Sequence, residues 1–520
     1  MESTRLSALD ASFLRIESPT CHMHVGWRGI FEVSPSRERP TVAALRASIG
    51  GRLRYAGCFR QRLAFPPAGL GEPFWVDDQG FDLNFHVRRL GDPYARMAMS
   101  DFLAAADDVL SKSLDRRRPL WEVHLAPRLE DGRVGLVMKM HHAMVDGMSA
   151  VKLALLVFHA SPDAEPEPAD DWSPSAAPKG ATMALRAVTD SAAESLRAAR
   201  GLAGLAGSPL AGSGRIASGL RKTALAVGDD LLRSSPSSYV NRAIGPKRTL
   251  VGCRIPLDGV QSIKARTGVT HNDVCLAVVA GALRETGQRR GDRLAAMRAM
   301  VPVSMRAKEP DTGLGNRISF AFVDLPVDRA GARQRLRSIH TQTQRFKSNE
   351  RAATTETLLG AMRFTAAPVR TFAARMVASP RVYNLTVSNV PGPREAVYML
   401  GARLIEAYPV VPLSQGHTLA VGMFTYAGGV HFGLYADPEA LPEVADLPGA
   451  LIRAITQLDR STRVRPPGNA VDRRSAGARV VVRLGASPVS ETWPRSHDRG
   501  RLGSRPERTR RGMSAPPPTP

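Results

Sequence analysis

The sequence predicts an α/β fold arranged in two units, and three observations carry that expectation. Short segments with period-two apolar alternation occur in both halves of the chain, interleaved with segments whose apolar residues fall at helical spacing. Between the two groups, Ser161 to Pro178 is rich in Pro, Ala, Ser, Asp and Glu, the composition of a surface linker. At 520 residues the chain can also bury enough core for two domains or more.

The expected divisions are a first unit over 1–160, a linker with a helical bridge over 161–245, a second unit over 246–460 and a tail over 461–520. In the first unit, His24 to Val33 and Phe81 to Val87 are strand candidates, and Ser100 to Lys112 reads as a helix. Trp121 to Leu129 and Val134 to Met140 should pair as a hairpin around Glu130-Asp131-Gly132, because Asp-Gly is a favoured turn dipeptide. Val134, Leu136, Met138 and Met140 alternate with Gly135, Val137 and Lys139, as expected of a half-buried strand. Beyond it, Val151, Ala154, Leu155 and Phe158 lie at i, i+3, i+4 and i+7, predicting a helix from about Gly147 to Phe158.

The strand and the helix leave His141-His142-Ala143-Met144-Val145-Asp146-Gly147 between them. Asp146 falls at the expected helix N-terminus, where a carboxylate accepts backbone N–H bonds and meets the positive end of the dipole. Gly147 permits a tight turn. His142 continues the inward strand face, and an imidazole, with an unperturbed pKa near ~6.5, suits general-base work. A packed histidine without chemistry is the ordinary alternative. No metal is expected, since His141, His142 and Asp146 lack the i, i+4 histidine pair of a helical zinc site and no cysteine is near.

After the linker, Ala181 to Leu205 and Arg215 to Arg233 read as helices carrying Arg186, Arg197, Arg200, Arg221, Lys222 and Arg233. They suit a bridge between units better than a face lying on an anionic membrane. In the second unit, Arg248 to Leu257 is a strand candidate, and Thr270-His271-Asn272-Asp273 opens a helix with Thr270 as N-cap. Ala296 to Val303 should be a strand running on to Arg306, and Asn316 to Leu325 another, with helical stretches to about residue 378. Tyr383 to Asn389 returns as a strand into Val390-Pro391-Gly392-Pro393, a rigid turn that a helix or central strand could not continue. Thr418 to Tyr426 and Val430 to Ala436 form a hairpin around Gly428-Gly429, and a helix over about Pro448 to Asp459 closes the folded part.

Composition excludes several classes. The N-terminus lacks a basic segment followed by an apolar core, so no secretory signal is expected. The longest stretch free of charged residues, Ala407 to Ala436, contains two prolines and several glycines and is no membrane-spanning helix. Cys21, Cys58, Cys253 and Cys275 show neither CxxC spacing nor disulfide-scaffold density, which points to the cytoplasm. Of the net charge of +23, the tail carries +9, with 13 arginines against four acidic residues. Its composition predicts disorder, and its near lack of aromatics argues against specific nucleic-acid binding.

His-His-Ala-Met-Val-Asp-Gly resembles the HHxxxDG motif of acyltransferases related to chloramphenicol acetyltransferase, a superfamily that includes peptide-synthetase condensation domains. Leu6-Ser7-Ala8-Leu9-Asp10-Ala11-Ser12-Phe13, Pro119-Leu120-Trp121-Glu122, Asn272-Asp273 and Ser388-Asn389-Val390-Pro391-Gly392-Pro393 narrow the resemblance. In this order and spacing they look like the bacterial wax ester synthase/diacylglycerol acyltransferase family over about residues 1 to 460. The resemblance implies two chloramphenicol acetyltransferase-like domains with mixed sheets and an active-site channel at their interface. It implies transfer from long-chain acyl-CoA, a co-substrate with no other cofactor, to diacylglycerol or a long-chain alcohol. His142 is then the expected base, with His141 and Asp146 beside it and Gly147 in the turn. Arg306 is the expected partner of Asp146, while Asn272 and Asp273 shape the site. Pro119, Leu120, Trp121, Asn389, Pro391 and Gly392 are channel candidates, with core packing or a structural corner as the competing reading. Peripheral contact with an anionic membrane or a lipid droplet fits such substrates. A carrier-dependent condensation enzyme and a lipid-binding protein without turnover are the alternative functions.

Overall fold

A computed structural model describes residues 4–67, 71–144, 154, 156–190, 234–304, 318–348, 375–376 and 378–463. The strands in chain order are β1 (Thr4–Arg5), β2 (His24–Glu32), β3 (Gln61–Ala64), β4 (Phe74–Asp77), β5 (Val87–Arg89), β6 (Trp121–Ala126), β7 (Val134–His141), β8 (Thr249–Pro256), β9 (Met297–Ser304), β10 (Ile318–Leu325), β11 (Leu385–Pro391), β12 (Tyr398–Met399), β13 (Ala402–Val410), β14 (Leu419–Tyr426) and β15 (Gly429–Ala436). The helices used below are α1 (Ala8–Ile16), α2 (Val42–Arg52), α3 (Leu83–His86), α4 (Met99–Leu110), α5 (Leu257–Thr267), α6 (His271–Arg290), α7 (Ala332–Ser348) and α8 (Leu447–Thr462).

Two six-stranded mixed sheets organise the chain, ordered β12-β13-β2-β7-β6-β5 and β10-β9-β11-β14-β15-β8, with a small sheet β1-β4-β3 beside them. The first sheet is antiparallel except where β5 meets β6, and in the second β11 runs parallel to both β9 and β14. The β6–β7 hairpin forms as its sequence predicts, with Ala126 opposite Gly135 and Gly132 at φ +84° in the turn. The β14–β15 hairpin does the same around Gly428. α6 is the buried axis of the second unit: Val274 to Leu283 pack into a core shared with β9, β11, β14, β15 and α8.

Three expectations need correcting. β7 is buried on both faces, not one, because α4 covers the outer side. Phe102 lies so close to Gly135 that a Cβ there would sit 2.5 Å from its ring, and Lys139 turns its ammonium under α4 to donate to Val109 O at 2.8 Å and Lys112 O at 2.7 Å. Phe81 to Val87 is not a strand. Asp82 caps a helical turn by accepting the Asn84 N–H at 2.8 Å, so the chain coils through α3 before β5. Pro391 is still within β11, paired with Thr425 of β14, and the corner comes one residue later.

β13 comes from the second half of the sequence yet pairs with β2, so it completes the first sheet. It also touches the second sheet, with the Tyr408 ring over Gly252 of β8 and Pro409 O against Gly433 of β15. Further ties join the sheets. Asp107 of α4 accepts from Thr249 Oγ1 at 2.6 Å and Leu250 N–H at 3.0 Å, and Arg28 of β2 donates to Leu250 O at 2.7 Å. Among the described residues no helix is long and apolar enough to cross a membrane. The helix expected over Ala181 to Leu205 is seen at 180–190; its remainder, Arg215 to Arg233, the helical stretches expected over 349–374 and the tail after 463 lie outside the described residues.

Candidate active site

β7 ends at His141, and the chain enters a 3-10 turn over His142–Met144. The His141 N–H donates to Leu120 O at 2.9 Å and the His142 N–H donates to Met23 O at 2.7 Å. Leu120 leads into β6 and Met23 into β2, so both neighbouring strands pin the turn.

The two imidazoles do different work. His141 is fully buried, and its Nδ1 accepts the Ala143 N–H at 3.0 Å, which makes Nε2 the protonated nitrogen of the neutral ring. Nε2 lies 3.7 Å from Glu17 Oε2, too far for a hydrogen bond. Burial first, and then the nearby Arg116 charge, push its pKa down to about 3. The His142 ring instead stacks on Phe13 of α1, with centroids 3.8 Å apart and planes 20° from parallel. Burial pushes its pKa down to about 4, opposed only by its own backbone carbonyl, and Nδ1 has no partner of normal hydrogen-bond geometry. His142 is therefore neutral at pH 7 and can accept a proton.

A second group forms at the N-terminus of α6. Thr270 caps the helix in a capping box with Asp273. Asp273, with no exposed surface, accepts from Thr270 N–H at 2.9 Å, His340 Nδ1 at 2.8 Å and Thr343 Oγ1 at 2.7 Å, tying α6 to α7. Burial alone would raise its pKa, but the bonds from His340, Thr343 and Thr270 outweigh this and hold it below the ordinary carboxylate value. Asn272 faces the other way and accepts from Asn389 Nδ2 at 3.2 Å. Two motifs over a hundred positions apart thus meet through their asparagines. Gly392 donates its N–H to Thr425 O at 3.1 Å, and a Cβ there would lie 2.4 Å from that oxygen, so the corner after β11 requires glycine.

Among the channel candidates, Leu120 holds the histidine turn through its carbonyl, with Pro119 and Trp121 on either side of it in the chain. Leu120 and Trp121 have no exposed surface, and the indole donates to Phe59 O at 2.8 Å while stacking on His86. Their side chains therefore line no open channel in this structure. Asn389 is half-buried and Pro391 exposed. Asp146, Gly147 and Arg306 lie outside the described residues, as does most of the helix expected from Gly147 to Phe158.

Sequence reasoning missed the residues that surround the two histidines. The Leu6 to Phe13 stretch stood out as a motif without a stated purpose; its Ser7 caps α1 by accepting the Asp10 N–H at 3.1 Å, and Phe13 then reaches His142. Ser7 followed by Asp10 was the available signal for that helix start. Glu17, the C-cap of α1, and Arg116, which donates to it through Nε at 2.7 Å and to Leu14 O at 2.8 Å, carry no local signature.

Residues 6–275 match the family model described as the wax ester synthase/diacylglycerol acyltransferase catalytic domain, and residues 314–459 match the C-terminal domain of the same family. A probable diacylglycerol O-acyltransferase of Mycobacterium tuberculosis is 30% identical over 483 residues, covering 92% of this chain and 99% of that protein. The solved wax ester synthase/diacylglycerol acyltransferase of Marinobacter aquaeolei VT8 superposes with a TM-score of 0.62 at 26% identity, covering 88% of this chain and all of that one. The first condensation domain of the calcium-dependent antibiotic synthetase shares the fold, with a TM-score of 0.52 at 17% identity over 89% of this chain and 96% of its own.

Proposed function

The chain belongs to the wax ester synthase/diacylglycerol acyltransferase family, and from that premise we propose that His142 is the general base of its acyl transfer. The protein is an acyl-CoA-dependent O-acyltransferase that makes triacylglycerol from diacylglycerol and wax esters from long-chain alcohols. One observation carries the assignment: a neutral imidazole is fixed at the end of a strand whose partners on both sides hold the turn.

In the proposed step, His142 takes the proton of the acceptor hydroxyl as that oxygen attacks the thioester carbonyl. The tetrahedral intermediate collapses, the carbon–sulfur bond breaks, and the imidazolium returns the proton to the departing thiolate. No acyl-enzyme forms and no further cofactor takes part. His141 supports the turn by holding the Ala143 N–H. Asp146, Gly147 and Arg306 lie outside the described residues, and on the family resemblance alone we propose Asp146 to order the turn, Arg306 as its candidate partner and Gly147 to permit the reversal. Acyl-CoA and acceptor approach His142 from opposite sides through a channel between the two halves. An apolar wall there adds about 0.8 kcal/mol per buried methylene, so several chain lengths are accepted. We place the protein in the cytoplasm, touching an anionic membrane or lipid-droplet surface peripherally; its basic charge and lipid-soluble substrates support that placement.

The test is acyl transfer from palmitoyl-CoA to diacylglycerol and, separately, to hexadecanol, with wild type and His142→Ala side by side. Wild type should form ester and His142→Ala should lose about a hundredfold or more in turnover while still binding acyl-CoA. Turnover undiminished in His142→Ala would remove the base assignment.

A further inference from the structure

α1 buries Ala11 and Leu14 in the core of the first unit, so its inward stripe is already supplied. Phe13 is off that stripe. It is half-buried, it is absent from the described core of its unit, and its ring lies flat on the His142 imidazole. A large apolar side chain held away from the core needs another reason to be fixed, and the end of α1 supplies one. The Glu17 N–H donates to Phe13 O at 3.1 Å, and Arg116 grips both the Glu17 carboxylate and Leu14 O. The turn of helix that carries Phe13 is therefore anchored on the loop entering β6, the strand beside β7.

We propose that Phe13 is a positioning residue for the reaction: its ring sets the plane of the His142 imidazole and keeps water off one face, without touching the reacting atoms. This rests on the assignment of His142 as base. A stacked neighbour opposes rotation of the imidazole about its Cβ–Cγ bond, which would tilt its plane, and misplacing a base by about 1 Å can cost on the order of a hundredfold in rate. It also withholds solvent from the cation that His142 becomes when protonated, in line with the lowered pKa of that ring. Among the described residues, the titratable groups around the pair include His141 on β7, His24 opposite it on β2, Glu17 at the end of α1 and Arg116 on the loop before β6.

The experiment compares Phe13→Leu, Phe13→Tyr and His142→Ala with wild type, measuring kcat and KM for palmitoyl-CoA and hexadecanol between pH 5.5 and 8. Phe13→Leu should lower kcat by about tenfold or more with KM for acyl-CoA within about twofold, and an acid limb absent from wild type should enter the pH window. Phe13→Tyr, which keeps a flat ring, should recover most of kcat. If Phe13→Leu does not fold, Phe13→Met, which fills similar volume without a plane, takes its place. Unchanged kcat with a raised KM in either variant would make Phe13 part of the substrate wall and overturn the proposal. His142→Ala separates the two assignments. If it is inactive while Phe13→Leu matches wild type, positioning fails and the base stands; if it retains turnover, the base assignment itself fails.

Discussion

His141 and His142 are adjacent, and what separates them is where each ring nitrogen goes. His141 spends its one acceptor on the Ala143 N–H inside the turn, which leaves it no lone pair for a substrate proton. That gives it a measurable structural role. His141→Ala strands the Ala143 N–H in a buried site, at a cost of about 1–3 kcal/mol. His141→Asn places an amide oxygen near the position of Nδ1 and should recover at least half of that loss. Urea unfolding of the three proteins checks this; equal stability of the Ala and Asn variants would mean that the Ala143 bond contributes nothing. The sequence distinguished these two residues by strand face, His142 continuing the inward side of β7, and by the four-residue spacing from His142 to Asp146. The stacking partner was not legible, because Phe13 reaches its place from more than a hundred residues away and through a helix that the apolar pattern did not announce.

At the scale of elements, the Asn272-Asp273 pair at the start of α6 divides into two tasks. Asp273 closes a capping box with Thr270 and joins α6 to α7 with two accepted bonds, while Asn272 joins α6 to the strand end that carries Asn389. Capping was readable from Thr270 and Asp273 alone, but the bonds to His340, Thr343 and Asn389 were not, since nothing local in the sequence encodes them. Asp273→Ala should therefore cost about 2–3 kcal/mol, by removing the capping box and leaving three part-buried donors without an acceptor. Asn272→Ala gives up one partly exposed contact and should cost about 1 kcal/mol or less. Unfolding midpoints of the two variants decide it, and a larger loss for Asn272 would reverse the roles. Hairpins followed the same rule of legibility. β6–β7 and β14–β15 were readable because turn residues and alternation coincide within one short stretch. The place of β13 in the first sheet was not, because its partner β2 lies almost four hundred residues earlier.

At the scale of the whole molecule, the histidines impose a common dependence on pH. Burial is the leading cause that holds His22, His86, His142, His417 and His431 at about 4, His141 at about 3 and His24 well below its usual value. Unfolding returns each ring to a pKa near ~6.5. The folded state is thus the one that refuses the proton: all seven rings are neutral in both states above about pH 7, and the unfolded chain alone binds protons as pH falls from about 6.5 towards 4. Each such ring withdraws up to about 1.4 kcal/mol of stability per pH unit in that window, and seven together rival the usual total of about 5–15 kcal/mol. Carboxylates with lowered pKa, such as Asp273, act in the same direction but only near and below pH 4, after most of the histidine effect has been felt. Thermal unfolding followed from pH 7.5 to 5 should therefore show Tm falling steeply below about pH 6.5, above the range in which carboxylates with lowered pKa such as Asp273 titrate. A Tm that stays level down to pH 5 would mean that these rings are hydrated or already protonated in the folded protein. The neutral state of His142 would then lose its physical basis, and with it the reason to expect full activity in mildly acidic solution.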